Sequence, residues 1–538
     1  MKKQLLILIT MMLPLVASAQ IVEIDGIYYK INILMFGTPQ IEVISNPSKY
    51  SGDINVPESI LYNGNTYSVT HIGESAFEGC SGLTSVTIPN SVTSIGESAF
   101  NGCGITSIHL PSTIESMGDN AFNCKKLVRV VSDMAVPPAS SNPFSNYTYT
   151  EGYLVIPQDA RFEYETTNGW KQFASMYEAG SIEKTNFTIT IEQEGTLHDI
   201  VEALETSLVE DLTIKGRLNG KDIAYLNSKE GKVAHLLSLD LKEVTLIPSE
   251  DPYYTFTYAY PEAWMWDTYK VYISDHNATT YLGMHDWHYN DYRIDSDGLA
   301  YAFKDMNLKK VILPSGIKRL GEGIMNNCTI LEEVWFPNDI VAIDGGNPNR
   351  NTYVGAFGGC SRLTTIPSLN HIEEIGIGAF RGCSNLAGDL DLSSAKSIGE
   401  SAFDGCGNIT SVKFSKNLVS VGAEAFAECS ALSDVSFDEN TDVMFSRTSF
   451  SNTPWNEKLP TENGIVYMGK VAMAVEKGTE PRELTFRDGT LCIAHDFLEE
   501  STYEKIRTLN MPNSVKPIGE YNQEIKGKTN VEIIPVSA

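Results

Sequence analysis

Positive charge is scarce in this chain. Lys and Arg total 40 against 68 Asp and Glu, a formal net charge of -28. Such a surface repels a phosphate backbone, which excludes general nucleic-acid binding. After the N-terminal leader no stretch is long and apolar enough to cross a membrane. No CxxC pair occurs, so the usual zinc arrangement is missing. GxSxG, P-loop, GxGxxG and HExxH patterns are absent as well. Core-forming residues are not lacking. The hydrophobic fraction is 42% and the charged fraction 20%, which rules out a disordered or collagen-like chain. With 538 residues, two or more domains are expected.

The N-terminus has a secretory pattern. Lys2 and Lys3 precede an apolar core from Leu5 to Val16, and Ala17-Ser18-Ala19 forms a small-residue cleavage site before Gln20. We expect residues 1–19 to be a signal peptide. Its removal takes two lysines, and the net charge becomes -28 - 2 = -30. No cysteine at the cleavage site supports a lipid anchor, and no LPxTG lies near the C-terminus. The expected product is exported, whether to the cell surface, the medium or the periplasm.

A repeat dominates the rest. Ile72-Gly73-Glu74-Ser75-Ala76-Phe77-Glu78-Gly79-Cys80 recurs as Ile95-Gly96-Glu97-Ser98-Ala99-Phe100-Asn101-Gly102-Cys103. A third copy ends Ala121-Phe122-Asn123-Cys124. The phenylalanines are 23 and 22 residues apart, and Phe357, Phe380, Phe403 and Phe426 return at intervals of 23. Met325 with Cys328 is a degenerate copy, and Phe450 and Phe497 are weaker ones. A fixed period of this size predicts a stacked solenoid.

One unit reads as follows. Leu83-x-x-Val86-x-Ile88 alternates like a half-buried strand. Pro89 follows where no ladder donor is needed. Gly96 is expected to permit a tight bend, and Ala99-Phe100 to form a short helical turn. A single coil cannot bury its own apolar face. Coils stacked about 4.8 Å apart bury it against one another and align their strands in a parallel sheet. Solvent-facing positions then vary from coil to coil, which suits recognition better than catalysis.

Eight of nine cysteines share the repeat position: Cys80, Cys103, Cys124, Cys328, Cys360, Cys383, Cys406 and Cys429. Cys492 is out of phase. Their phasing predicts stacked, buried thiols, although neighbouring coils lie near disulfide distance and some pairing stays open.

The run Leu83 to Cys103 resembles the BspA-type leucine-rich repeats of bacterial surface proteins. The shared pattern is Leu-x-x-Val-x-Ile-Pro followed by Ile-Gly-x-x-Ala-Phe-x-Gly-Cys. It covers residues 69–132 and 308–520, and the lead-in from Tyr50 to Thr70 fits the same family. The resemblance implies an α/β repeat fold: a leucine-rich-repeat solenoid with a parallel sheet face, in two blocks with inserts. It also implies a surface-exposed or secreted non-catalytic protein of host-associated bacteria. Some members bind host matrix proteins.

The expected organisation is a β cap over 20–70, a first block with its closing element over 71–183, and an irregular start of the second block over 184–307. The second block follows over 308–520, then a tail over 521–538. Ile21–Ile24 and Tyr28–Ile31 flank Asp25-Gly26, a hairpin signal. Leu154–Pro157 and Trp170 belong to the closing element. Thr196 to Thr206 has helical spacing, with Thr196 as its cap, and Leu212–Ile214 and Leu237–Leu241 read as strands. Roughly nine residues bulge near Gly345-Gly346-Asn347-Pro348.

The larger insert, about 251–300, holds thirteen aromatics, against 10% aromatic residues in the chain as a whole. Tyr258, Tyr260, Trp264, Trp266, Trp287 and Tyr289 are the candidate ligand-binding residues, since aromatic faces beside acids suit sugars or protein hot spots. The competing reading is a local mini-core. His285-x-x-His288 lacks the rest of a zinc motif. Asp295-Ser296-Asp297-Gly298 fails as a calcium loop, because Arg293 and Lys304 fall where carboxylates are needed. No catalytic residue, cofactor or metal is expected. The expected partner is a host matrix or surface protein, or a glycan.

Overall fold

The structure is a computed structural model. It describes residues 16–34, 40–182, 184–259, 266–273, 291–296, 298–346, 354–438, 443–479, 481–498, 505–512, 514–515 and 532–536. The chain divides into two compact units, residues 1–185 with 205–208, and 186–204 with 209–538.

The first unit opens with the hairpin. Val16–Ile24 and Ile27–Leu34 pair antiparallel around Asp25 and Gly26, both at positive φ (52° and 79°). The expected signal segment lies outside the described residues except at 16–19, which begin the first of these strands. Parallel stacking starts where Gln40–Val43 meets Asn65–Ile72 and continues through Ser94–Ile95 to Ser116–Met117. A second parallel stack runs from Ser107–Leu110 through Arg129–Ser132 and Tyr153–Ile156 to Ser175–Glu178.

Between the stacks the repeat phenylalanines form a ladder. Phe77, Phe100 and Phe122 lie with ring centroids 4.8 and 4.9 Å apart and planes within 8°. Tyr50 tilts against one end at 4.8 Å. At the other end Phe144 continues the ladder at 5.7 Å, and Trp170 meets it edge-on at 5.3 Å. The Trp170 indole donates to Pro138 O at 2.8 Å, so its one polar group is satisfied in full burial. Tyr164 covers Trp170 in turn, edge-on at 5.3 Å.

The second unit repeats the plan. Asn186–Ile191, Asp211–Leu218, Ser238–Leu246, Lys310–Ile312 and Glu333–Trp335 form one parallel sheet. Arg319–Leu320, Ala342–Ile343, Glu374–Ile375, Ser397–Ile398, Ser420–Val421 and Met444–Phe445 form another. Phe357, Phe380, Phe403, Phe426 and Phe450 stack at 5.1–5.4 Å. Of the bulge near Gly345, residues 347–353 lie outside the description. The coil nevertheless closes in phase, since Met325 N–H donates to Ala356 O at 2.9 Å. In the region expected as a tail, Glu532–Val536 pairs in parallel with Thr508–Pro512.

The expected leucine-rich-repeat solenoid is present, and four details of it differ from expectation. The architecture is a β-solenoid, and the α part of the α/β reading reduces to four described helices of six or seven residues. At Ala99-Phe100 there is no helical turn. Ser98 sits at φ 55°, and the turn is made of i→i+3 bonds such as Asn101 N–H to Ser98 O. Gly96 is needed for closeness, not for bending. A Cβ there would lie 2.5 Å from Glu74 N and 2.7 Å from Gly73 C of the preceding coil. The helix Leu197–Glu202 begins where expected, but Thr196 makes no side-chain cap bond to it. The cap comes from Asp222 of the next coil, whose Oδ1 accepts from Leu197 N–H at 3.0 Å.

One buried group makes the second unit acid-sensitive. Burial pushes the His235 imidazole down from 6.5 to about 4, and nearby Glu210 only partly opposes this. The unfolded chain therefore takes up the proton first as pH falls. The contribution is complete above pH 6.5 and is lost as pH falls from 6.5 to about 4. Such a difference corresponds to roughly 3 kcal/mol. His235→Gln is expected to flatten the fall in stability over that interval, measured by urea unfolding at pH 7, 5.5 and 4.

Candidate functional site

Each coil divides its residues between frame and surface. The inward positions carry Phe, Ala and Cys, all buried. The strand positions between them point to solvent: Thr87, His109, Trp335, Lys413 and Ser436 are exposed. Parallel register places such residues side by side, so each sheet displays a continuous polar face on a rigid support.

On the first unit, Asp53 Oδ1 accepts from Thr84 Oγ1 at 2.6 Å and Ser85 Oγ at 2.7 Å. His109 Nε2 and Asp133 Oδ2 are 2.8 Å apart, both more than half exposed. The second unit uses the same device at Asp389, which accepts from Thr410 Oγ1 at 3.1 Å and Ser411 Oγ at 2.6 Å. The Ser411 hydroxyl, then Thr410, holds the Asp389 carboxyl below its usual range. Lys215–Glu243 bridges neighbouring strands at 2.8 Å, and Arg217 reaches Glu194, just past the end of the adjacent strand, at 2.9 Å. Exposed pairs of this kind contribute little stability. Their effect is to fix the pattern of charge on this face.

Trp335 stands out on this face. It is 43% exposed in the register Asp240–Ile312–Trp335. Its indole N–H donates to the Glu333 carboxylate. Lys310 Nζ lies 3.0 Å from the same carboxylate, one strand over. The indole bond, with Lys310 adding to it, keeps the Glu333 carboxyl below its usual range. A fixed ring beside an ion pair can stack and hydrogen-bond. Trp335 was missed in the sequence, although the repeat phase marks it. It occupies the solvent-facing position between Val334 and Phe336.

The candidate ligand-binding residues of the insert are not brought together in what the structure describes. Tyr260, Trp264, Trp287 and Tyr289 lie outside the described residues, as do His285 and His288. Tyr258 and Trp266 are placed by backbone only, in the antiparallel pair Tyr254–Ala259 with Trp266–Ile273. Four other aromatics of the insert, Tyr253, Tyr254, Phe256 and Tyr269, pack inward. Phe256 stacks on Tyr269 at 4.9 Å and Tyr254 on Tyr301 at 5.3 Å, while Tyr253, Tyr269, Val271 and Ile273 are buried in the core of the second unit.

Catalytic geometry is sparse. Burial pushes the Cys328 and Cys429 thiols up to about 12 and raises Cys360, Cys383 and Cys406 well above the usual value, which makes these thiols poor nucleophiles. Among the described residues no group of three or more His, Cys, Asp or Glu is placed to hold a metal ion. A cavity of about 460 Å³ near the C-terminal strands is lined by Arg447, Ser451, Met473, Glu476, Lys477 and Phe497, among others. Glu476 is the one carboxylate in that described lining, and no histidine accompanies it. No described helix is long and apolar enough to cross a membrane.

The fold and its phased frame define a leucine-rich-repeat solenoid. Six copies of the BspA type leucine rich repeat region match residues 59–162, 299–346 and 351–476, just over half of the chain. The chain belongs to this family. Three solved structures are similar to it. A leucine-rich repeat protein from Bacteroides ovatus is 15% identical, with 96% of this chain and 100% of that chain covered and a TM-score of 0.24. A leucine rich cell surface protein from Faecalibacterium prausnitzii is 18% identical, with 78% and 96% covered and a TM-score of 0.22. The pneumococcal vaccine antigen PcpA is 12% identical, with 97% and 99% covered and a TM-score of 0.24. No curated protein matches the chain.

Proposed function

We propose that this chain is an exported, non-catalytic binding scaffold that recognises a host surface or matrix protein through its repeat face. The supporting observation is the exposed Trp335 held beside the Lys310–Glu333 pair on a sheet whose every inward position is frame. Aromatic anchors rimmed by charge carry binding energy in protein interfaces. The export pattern at residues 1–19 supports a site of action at the cell surface, in the medium or in the periplasm. A second reading is glycan capture by the insert through Tyr258, Tyr260, Trp264, Trp266, Trp287 and Tyr289. It is favoured by the thirteen aromatics between 251 and 300.

One array of host matrix proteins and glycans tests both readings, with residues 20–538 as the probe. Deleting the insert would remove core residues such as Tyr269 and Val271, so point substitutions are preferable. Trp335→Ala is expected to weaken a matrix-protein signal about tenfold or more. Joint replacement of Tyr260, Trp264, Trp287 and Tyr289 by Ala is expected to leave it intact. A glycan signal lost only in the joint variant would transfer the function to the insert.

A further inference from the structure

Six of the eight repeat cysteines follow one rule, and Cys80, in the first coil, faces Glu78 O of its own turn at 4.0 Å. The thiols of Cys328, Cys360, Cys383, Cys406 and Cys429 donate to the carbonyls of Phe303, Met325, Phe357, Phe380 and Phe403, each in the preceding coil, at 3.0–3.3 Å. Cys124 obeys it too, donating to Phe100 O at 2.9 Å. Cys103 departs from it. Its Sγ lies 2.9 Å from Cys124 Sγ. The sequence differs here too. Where the second copy reads Asn101-Gly102-Cys103, the third reads Asn123-Cys124 without the glycine. The Cys103 amide bonds three residues back, to Phe100 O, whereas the Cys124 amide bonds two back, to Phe122 O. The turn that carries Cys124 is thus one residue shorter than the turn that carries Cys103, and the two sulfurs meet where the two turns differ.

We propose that Cys103 and Cys124 form a disulfide in the exported protein. The two cysteines stand in adjacent coils, and strands stacked about 4.8 Å apart lie within the separations a disulfide bridges. The Cys124 backbone is already fixed, because its carbonyl accepts from Ser145 Oγ at 2.9 Å. Phe100 O would lose the thiol donor but keep the Cys103 N–H at 3.2 Å, so the bond leaves no carbonyl unsatisfied. A cystine is also uncharged and apolar, which suits a site where both side chains are buried. The oxidant is another disulfide, either of a small thiol such as glutathione or of a dithiol oxidase. One thiolate attacks it to give a mixed disulfide and release one thiol. The second cysteine displaces the other thiol. The two cysteines lose two protons and two electrons, and the oxidant becomes two thiols. Burial of both sulfurs sets the timing: exchange occurs while the coils are still open, and the finished fold then shields the bond.

Export, as proposed above, would supply the oxidising compartment, but the test does not depend on it. Residues 20–538 are refolded in a glutathione redox buffer and the folded state is confirmed by far-UV circular dichroism. Thiols are then titrated after denaturation without reductant. Seven of the nine cysteines are expected to react, and cleavage after Glu115 should leave the two halves joined until reductant is added. Cys103→Ser should abolish the link and leave all eight remaining thiols reactive. Cys383→Ser should keep the link. Nine reactive thiols in the folded wild type, or a link that persists in Cys103→Ser, would overturn the proposal. Should Cys103→Ser not fold, the wild-type cleavage map decides alone.

Discussion

Phe403→Ala is expected to destabilise the second unit by about 3–5 kcal/mol, the range for deleting a buried aromatic ring. Phe403 is fully buried, with Phe380 and Phe426 stacked on its two faces at 5.2 and 5.1 Å. Both neighbours lose their partner at once. The gap cannot close easily, because the coils are pinned on either side by backbone bonds. Phe380 N–H donates to Ala402 O and Phe403 N–H to Ala425 O, each at 2.7 Å. In a one-dimensional stack, stability is the sum of coil and interface terms, and this substitution weakens two adjacent interfaces. Urea unfolding followed by circular dichroism is the measurement. Phe403→Leu keeps most of the volume and is expected to cost about half as much or less. A loss below about 1 kcal/mol for the alanine variant would mean that the backbone bonds, not the ring ladder, hold the coils together.

The ladder was legible in the sequence because it is periodic. Intervals of 22 and 23 between phenylalanines translate directly into stacked rings, and the coincidence of cysteine with the same phase translates into buried thiols. Phe144 extends the first ladder by another 22 residues but escaped notice, since no cysteine follows it as one follows Phe77, Phe100 and Phe122. What a period cannot convey is which atoms meet between coils. The role of Gly96 lies in its distance from Glu74, a residue 22 positions away. The contact between Cys103 and Cys124 falls where one copy lacks a glycine. Trp335 was marked by its phase, yet it drew no attention beside the denser aromatics of the insert. There, composition alone could not separate rings that pack inward, such as Phe256 and Tyr269, from candidates such as Trp264 and Trp287.

Asp222→Ala is expected to cost the second unit about 3–5 kcal/mol, because it strands several buried donors together. The side chain is almost wholly buried. Its Oδ2 accepts from Gly195 N–H at 2.6 Å and Asn219 N–H at 3.0 Å, and its Oδ1 from Leu197 N–H at 3.0 Å. One carboxylate thus satisfies the starts of two short helices, Leu197–Glu202 and Gly220–Leu226, in successive coils. Asn219 completes the capping box by accepting from Lys221 and Asp222 amides at 3.0 and 3.3 Å. A helix of six or seven residues is not stable by itself, so it depends on such caps and on packing. Asp222→Asn keeps one acceptor oxygen and should recover part of the loss. The check is urea unfolding of both variants, with amide exchange read at Gly195, Leu197 and Asn219. Faster exchange at all three amides in Asp222→Ala, with the ladder amides near Phe403 unchanged, is the expected pattern. It would establish that the irregular coils before the regular repeats are held by this shared carboxylate. Unchanged exchange at Gly195 and Leu197 would contradict that view and leave apolar packing around Leu197 and Ile223 as the source of their order.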